Sequence, residues 1–432
     1  MIESPTNVRY RIIAVSMLMA FILYLDRICL GEIVKSASFK GELALSKEEI
    51  GRVLAAFFFT YAIFQVPAGW ASDRWGARRM LTGYIILWSL FTGLTGLMSG
   101  FWGLMLARLG CGMAEAGAYP TSGALIRRWI PMAGRGRASA LVALGGRMGG
   151  TLAPFITALL IVAFGDWRPA LWVDAGVGLI IAAIYFWIVR DRPSEHPGCN
   201  EAEKQLIGSP PGEPLPEARE IRPMLWAFCR CRSLWLSSLS QLLVNLGWAF
   251  LITWLPTYLA EEKQVEAVAG GRMVSLVLAF GMVGQLAGGW TSDWSVRRFG
   301  LRWGRVFSLS APLMLAGSAY VACLGVDSAW AIVACCAVVA FGTDMNNPVT
   351  WAFMQDIGGK NTASAAGWSN MWGNFGASAN AMMVPWLLNF GGSGEAGQRL
   401  VFIACAGALF LAGLTVLGMD ATKPIAVKTR AT

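Results

Sequence analysis

Polar and charged residues gather in short clusters along this chain, and apolar stretches of about twenty residues run between them. At 1.5 Å rise per residue, such a stretch crosses the hydrocarbon of a bilayer as a helix. The pattern predicts twelve spans, at 11–34, 49–71, 79–98, 101–126, 137–163, 169–190, 233–259, 271–293, 304–325, 329–354, 361–389 and 398–419. The expected class is an all-α membrane protein, with twelve transmembrane helices in two pseudo-symmetric six-helix bundles.

The clusters alternate in charge. Arg9 and Arg11 precede the first span. Arg74, Arg78 and Arg79 lie in one later connection, and Arg127, Arg128, Arg135 and Arg137 in another. Arg297, Arg298, Arg302 and Arg305 follow, and the tail adds Lys423, Lys428 and Arg430. The intervening connections are poorer in cations and often acidic, as at Glu261, Glu262 and Asp327. Cation-rich connections stay in the cytoplasm. The expectation is a multi-pass protein of the cell inner (plasma) membrane with both termini cytoplasmic.

Between the sixth and seventh spans, the segment 191–232 holds Pro193, Pro197, Pro210, Pro211, Pro214 and Pro216 among many charges. It reads as a cytosolic linker. The predicted organisation is a six-helix bundle over 1–190, the linker over 191–232, and a second bundle over 233–432. The halves also repeat. Gly69-x-x-x-Asp73 ends the second span and Gly289-x-x-x-Asp293 the eighth, 220 positions on. Gly146-Arg147-x-Gly149 in the fifth returns as Gly373-Asn374-x-Gly376 in the eleventh, 227 positions on. A parallel repeat of this kind buries a substrate site near the midplane between the halves.

Composition sharpens this. The chain is 56% hydrophobic and 14% charged, where a soluble chain carries about a quarter charged residues. The net charge of +9 lies in the connections, so it orients the protein in a lipid bilayer and implies no nucleic-acid partner. The nine cysteines are scattered. Cys229-Arg-Cys231 is too short a spacing for zinc, and Cys335-Cys336 lies in an apolar run. No metal and no cofactor is expected, and without a soluble catalytic constellation no enzyme. The lone His196 sits in a polar loop, so protons crossing the membrane must use carboxylates.

Two ionisable residues interrupt the fourth span. Arg108 and Glu115 are seven positions apart, close to two helical turns, so they share a face about 10 Å apart along the axis. Gly112 lies on that face and Tyr119 extends it. A charge at mid-membrane costs about 2.5–3.5 kcal/mol. One reading is a structural ion pair between helices. The other is a site for binding and proton exchange.

The loop after the second span reads Gly69-Trp-Ala-Ser-Asp73-Arg74-Trp-Gly76-Ala-Arg78-Arg79. Gly69 permits close helix contact, and Asp73 can accept from a neighbouring helix N-terminus or pair with an Arg. A clasp of this kind would gate a transporter. The spacing resembles the signature loop of the major facilitator superfamily. The second copy keeps Gly289 and Asp293 but loses the following Arg and Gly. Within the superfamily, Tyr24-Leu-Asp26-Arg27, the run Arg108 to Pro120, Trp254-Leu-Pro-Thr-Tyr258 and Asp420-Ala-Thr-Lys-Pro-Ile425 resemble the anion:cation symporter family. Bacterial members carry hexuronates, aldonates and glucarate; animal relatives include sialin and the vesicular glutamate transporters.

The resemblance implies the major facilitator fold and a secondary transporter importing a small organic anion with protons. It implies that Arg27 contacts the substrate carboxylate, with Tyr24 beside it, and that Asp26 and Glu115 take up protons. Arg108 would pair with these acids or help hold the anion. The chemistry agrees: a guanidinium fork matches a carboxylate and stays charged. Tyr61 and Gln65, Gln241, Asn245 and Trp248, and Asn370 with Asn374 each share a helix face and could bind a polyol chain, or could act as interhelical polar glue. Arg147 and Asp344 depart from the family pattern; Arg147 either binds a second carboxylate or neutralises Glu115 or Asp26. The carrier is expected to act as a monomer. Other occupants of this fold are an organophosphate:phosphate antiporter, which would want a cation in helix seven that Arg232 to Lys263 lacks, and a non-transporting nutrient sensor, which would not need the acids.

Overall fold

The structure, a computed structural model, describes residues 4–208, 221–391 and 395–427. Pro210, Pro211, Pro214 and Pro216 of the linker and Lys428 and Arg430 of the tail lie outside the described residues. The described chain is helical and, among these residues, without strands. In order it forms α1 (Val8–Ile33), α2 (Ala37–Leu43), α3 (Lys47–Trp75), α4 (Ala77–Thr95), α5 (Phe101–Glu115), α6 (Ala118–Trp129), α7 (Arg135–Phe164) and α8 (Arg168–Ile188). There follow α9 (Glu201–Ile207), α10 (Ile221–Arg230), α11 (Arg232–Thr253), α12 (Leu255–Glu261), α13 (Ala267–Ala322), α14 (Ala329–Ile357), α15 (Thr362–Phe390) and α16 (Glu395–Val416). This is the all-α architecture that the apolar runs predict, and its long apolar helices make a multi-pass membrane protein.

Two spans differ in detail. The run 101–126 is two helices, divided at Ala116 and Gly117. Pro120 has no N–H to donate to the Ala116 carbonyl, so the helical ladder loses a rung there. Pro256 acts likewise at Trp254, between α11 and α12. The spans 271–293 and 304–325 are two helices, carried together under the label α13 and separated by a non-helical kink at Gly300, with φ +75° and ψ 171°, a conformation open to glycine.

The chain packs as two compact units. Unit 1 holds Met1–Met132, Leu141–Ile221 and Gly358–Gly367; unit 2 holds Ala133–Ala140, Arg222–Ile357 and Trp368–Thr432. Within unit 1, α7 lies against α1 along a glycine seam: a Cβ at Gly145 or Gly149 would run into the backbone of Met17 or Phe21. Within unit 2, a Cβ at Gly376 of α15 would meet the backbone of Leu242 on α11. Gly149 and Gly376 are the pair matched by the 227-residue offset, and each does the same packing task in its own unit.

Within unit 1, the part of the 191–232 segment around Asn200 and Glu203 is bonded to the start of α1. Asn200 caps α9 by accepting from the Glu203 N–H at 3.0 Å. Glu203 is fully buried and accepts from the Thr6 hydroxyl at 2.5 Å, the Val8 and Arg9 N–H groups at 3.2 Å each, and the Arg9 guanidinium at 2.8 Å. Burial alone would raise the Glu203 carboxyl, but these bonds outweigh it and hold the group below the usual carboxylate range.

Candidate functional site

In unit 1 the conspicuous charged residues of the sequence meet. Arg27 of α1 donates from Nε and Nη2 to Oε2 of Glu115 on α5, at 3.0 and 2.8 Å. The guanidinium lies over three rings, with centroids at 4.4 Å for Tyr61, 4.9 Å for Tyr24 and 5.1 Å for Phe57. Glu115 is 1% exposed. Aromatic faces around a desolvated cation strengthen its hold on anions by excluding water, while adding cation–π attraction of about 0.5–2 kcal/mol per ring.

Arg108 is bonded elsewhere. It makes no direct ion pair with Glu115 or Asp26 among the described residues; Nη2 donates to the Arg27 carbonyl at 3.5 Å, and the guanidinium sits 4.8 Å from the Phe57 ring centroid. Its charge still acts on both acids. The reason is reach: Glu115 is already bonded by Arg27, two turns further along α5. Asp26 is 1% exposed.

Tyr24 and Tyr119 meet edge to face, with centroids 6.1 Å apart. Gly146 lets α7 approach them; a Cβ there would lie 2.8 Å from the Tyr24 ring. Arg147 follows on the same helix, half-buried, and its charge acts on Tyr119. Tyr61 and Gln65 are buried along α3. In unit 2, Asn245 donates to the Gln241 backbone carbonyl at 2.9 Å and to Oε1 at 3.2 Å. Asn374 donates to the Asn370 carbonyl at 2.8 Å. A Cβ at Gly373 would sit 2.8 Å from Asn245 Nδ2, so the polar faces of α11 and α15 meet there.

The signature loop is fully engaged. Asp73 accepts from the Ala363 and Ser364 N–H groups at 3.0 and 2.8 Å and from the Ser364 hydroxyl at 2.6 Å, at the start of α15. A Cβ at Gly69 would lie 2.7 Å from the Ala363 carbonyl carbon. In unit 2, Asp293 accepts from the Gly136 and Arg137 N–H groups at 2.9 and 3.0 Å, at the start of α7, and pairs with Arg137 at 3.2 Å. These are anchors at helix N-termini, where exposed N–H groups favour a carboxylate. Gly76 has φ +92° and touches Asp191, which also accepts from the Arg78 N–H at 3.1 Å. Arg74 lies over Trp70 and Trp75.

Four further polar residues are buried or tied down by bonds. Arg305, which the sequence presents as an orienting cation of a connection, and Asp356 have fully buried side chains bonded at 2.8 Å; Arg135 binds the same carboxylate at 2.7 Å. Asp191 ties down the signature loop. Asp174 is 3% exposed inside unit 1.

A family model described as Major Facilitator Superfamily matches residues 16–381. The probable sulfoacetate transporter SauU of Cupriavidus necator is 31% identical over 84% of this chain and 83% of its own. The probable galactarate/D-glucarate transporter GudP of Escherichia coli is 27% identical over 91% and 90%. The crystal structure of the human organic anion transporter MFSD10 shares the fold, with a TM-score of 0.72 at 15% identity over 94% of this chain and 99% of that one.

Proposed function

Because the chain belongs to the major facilitator superfamily, a family of transporters and not enzymes, we propose that it imports a small sugar-acid anion by proton symport across the cell inner membrane. Relatives named for sulfoacetate, galactarate/D-glucarate, hexuronate and D-galactonate support an organic anion as cargo. The observation that carries the reading is the Arg27–Glu115 bond. Both donors of the guanidinium edge rest on one carboxylate oxygen, so an incoming carboxylate competes for the same fork.

Protonation of Glu115 removes its charge and releases Arg27 to the substrate. Loss of that proton restores the internal pair and expels the anion. Coupling of this form needs only that the two protonation states differ in affinity. Tyr24, Tyr61, Gln65 and Arg147 are proposed as further substrate contacts. Gln241, Asn245, Asn370 and Asn374 would bind the polyol hydroxyls. Asp26 is a second proton carrier, and Arg108 tunes both acids. Gly69, Asp73, Arg74, Gly76, Arg78 and Asp293 are proposed to gate the cycle. The halves 1–190 and 233–432, joined by a cytosolic linker, would work as a monomer with both termini inside the cell.

The test is uptake by the purified protein in vesicles. Galactarate, D-glucarate, D-galactonate and sulfoacetate are offered with and without a pH gradient. Accumulation of at least one of them, only when the gradient is present, is expected. Uptake indifferent to pH for every anion would remove proton symport.

A further inference from the structure

Unit 1 buries an acid that the Arg27–Glu115 exchange does not use. Asp174 stands in the second turn of α8 and is 3% exposed. One turn on, at Gly178, α8 meets α4 and α1. A Cβ there would run into the Ser89 hydroxyl and come within 4.0 Å of Asp26 Oδ2. Asp174 and Gly178 share that helix face, and the charge of Asp174 acts directly on Asp26.

Hydrogen bonding sets this group apart. Neither oxygen of Asp26 accepts a hydrogen bond of ordinary geometry, although the Trp88 indole N–H stands beside it, and Asp174 Oδ2 and Ser89 Oγ also lack partners. Ser89 and Trp88 are both fully buried. Two ionised carboxylates so placed, with so few hydrogen bonds between them, would cost several kcal/mol each in desolvation, with like-charge repulsion added. The surrounding charges do not balance them. Glu115 is bonded to Arg27, the charge of Arg147 acts on Tyr119, and the cation that acts on Asp26 is Arg108, one positive charge against the two carboxylates of Asp26 and Asp174. The other titratable neighbours are Cys29 and Cys111 beside Asp26 and Arg108, and Tyr24, Tyr61 and Tyr119 around Arg27. Thiols and phenols are neutral at pH 7. The buried group is one proton short of neutrality.

We propose that Asp174 and Asp26 form a two-carboxylate proton site, which holds one shared proton in the empty carrier. The proton arrives from hydronium: its O–H bond breaks as one forms on Asp174, leaving water. Transfer to Asp26 breaks the Asp174 O–H bond and forms another, and the negative charge moves the opposite way. The core is then neutral. An arriving anion adds one negative charge, which the proton taken by Glu115 offsets. The role in transport rests on the proton-symport reading; the occupancy of the pair does not.

Infrared difference spectroscopy on the purified full-length protein in detergent tests the occupancy. Protonated carboxyl groups give a carbonyl band that shifts in D2O. At neutral pH the wild type should show this band and lose it on alkalinisation. Asp174→Asn should lose it at neutral pH, because Asp26 is then balanced by Arg108 and ionises. Asp174→Glu should retain it and shows that loss is not misfolding. Uptake of D-galactonate and D-glucarate is measured alongside, and Asp174→Asn should move its pH midpoint by about one unit or more. A wild type without the band, or a band unchanged in Asp174→Asn, overturns the proposal. So does uptake driven by a Na+ gradient and abolished in that variant, which would make the pair a metal-cation site. A band that behaves as expected, in a wild type whose uptake ignores pH, keeps the proton site and refutes only the symport reading.

Discussion

Arg27 and Glu115, 88 residues apart in the chain, are joined by two hydrogen bonds from one guanidinium edge to a single carboxylate oxygen. The groups proposed to bind the anion and the proton are therefore each other's partner.

The two members should fail differently. Glu115→Gln mimics the protonated acid and should still exchange D-galactonate between loaded compartments while losing accumulation driven by a proton gradient. Arg27→Ala should lose binding itself, by about 100-fold or more, in line with truncation of one side of a buried charge pair. Counterflow and gradient-driven uptake on both variants separate these roles. Retained concentrative uptake in Glu115→Gln would transfer coupling to Asp26.

Asp73→Asn should slow turnover several-fold and leave equilibrium binding near wild type, since it weakens three hydrogen bonds at the start of α15. Asp293→Asn should behave alike. Turnover is read from uptake rates and affinity from ligand-induced thermal shifts. Wild-type rates in both would reduce the loop to an orientation signal.

The glycine seams should be equally intolerant. Gly149→Ala and Gly376→Ala each drive a methyl into a carbonyl-bearing backbone, a cost of about 1–3 kcal/mol. Melting temperature in detergent should drop for both, with Gly176→Ala, which meets nothing nearby, as the neutral control.

Much of this was legible because a charge in an apolar run is conspicuous. Arg27, Asp26, Arg108 and Glu115 stand out for that reason, and Asp73 and Asp293 for their repeated spacing. Pairing was not legible. Which acid Arg27 meets depends on the rotation of α1 and α5 about their axes, and periodicity within one helix cannot fix that. Charges near span ends were the other blind spot. Arg305 resembles an orienting cation, yet it is fully buried against Asp356. Asp174 is only six positions beyond Arg168, so it looks like a helix-end charge until the packing of α4 and α8 encloses it.

Glu203→Gln should destabilise the protein by about 1–3 kcal/mol at pH 7, the loss of charge-assisted hydrogen bonds. Its carboxyl is held below the usual range, so its contribution is present above about pH 4.3 and lost as pH falls through the lower folded value. The melting difference between variant and wild type should therefore shrink on acidification. A gap that persists below that range would assign the effect to packing.

Orientation has a usable reporter in Cys229, which is exposed, whereas Cys199 is buried. With the 191–232 segment inside the cell, an impermeant thiol reagent should label Cys229 only after the membrane is opened. Ready labelling of intact cells would invert the topology.

The Glu203 contact also makes α9 an attached pointer. It is fastened to the first residues of α1, and α1 carries Arg27 at its other end. A spectroscopic label at Glu201, whose side chain is 75% exposed, would ride with that helix and report its displacement during transport without touching the charged groups inside the membrane.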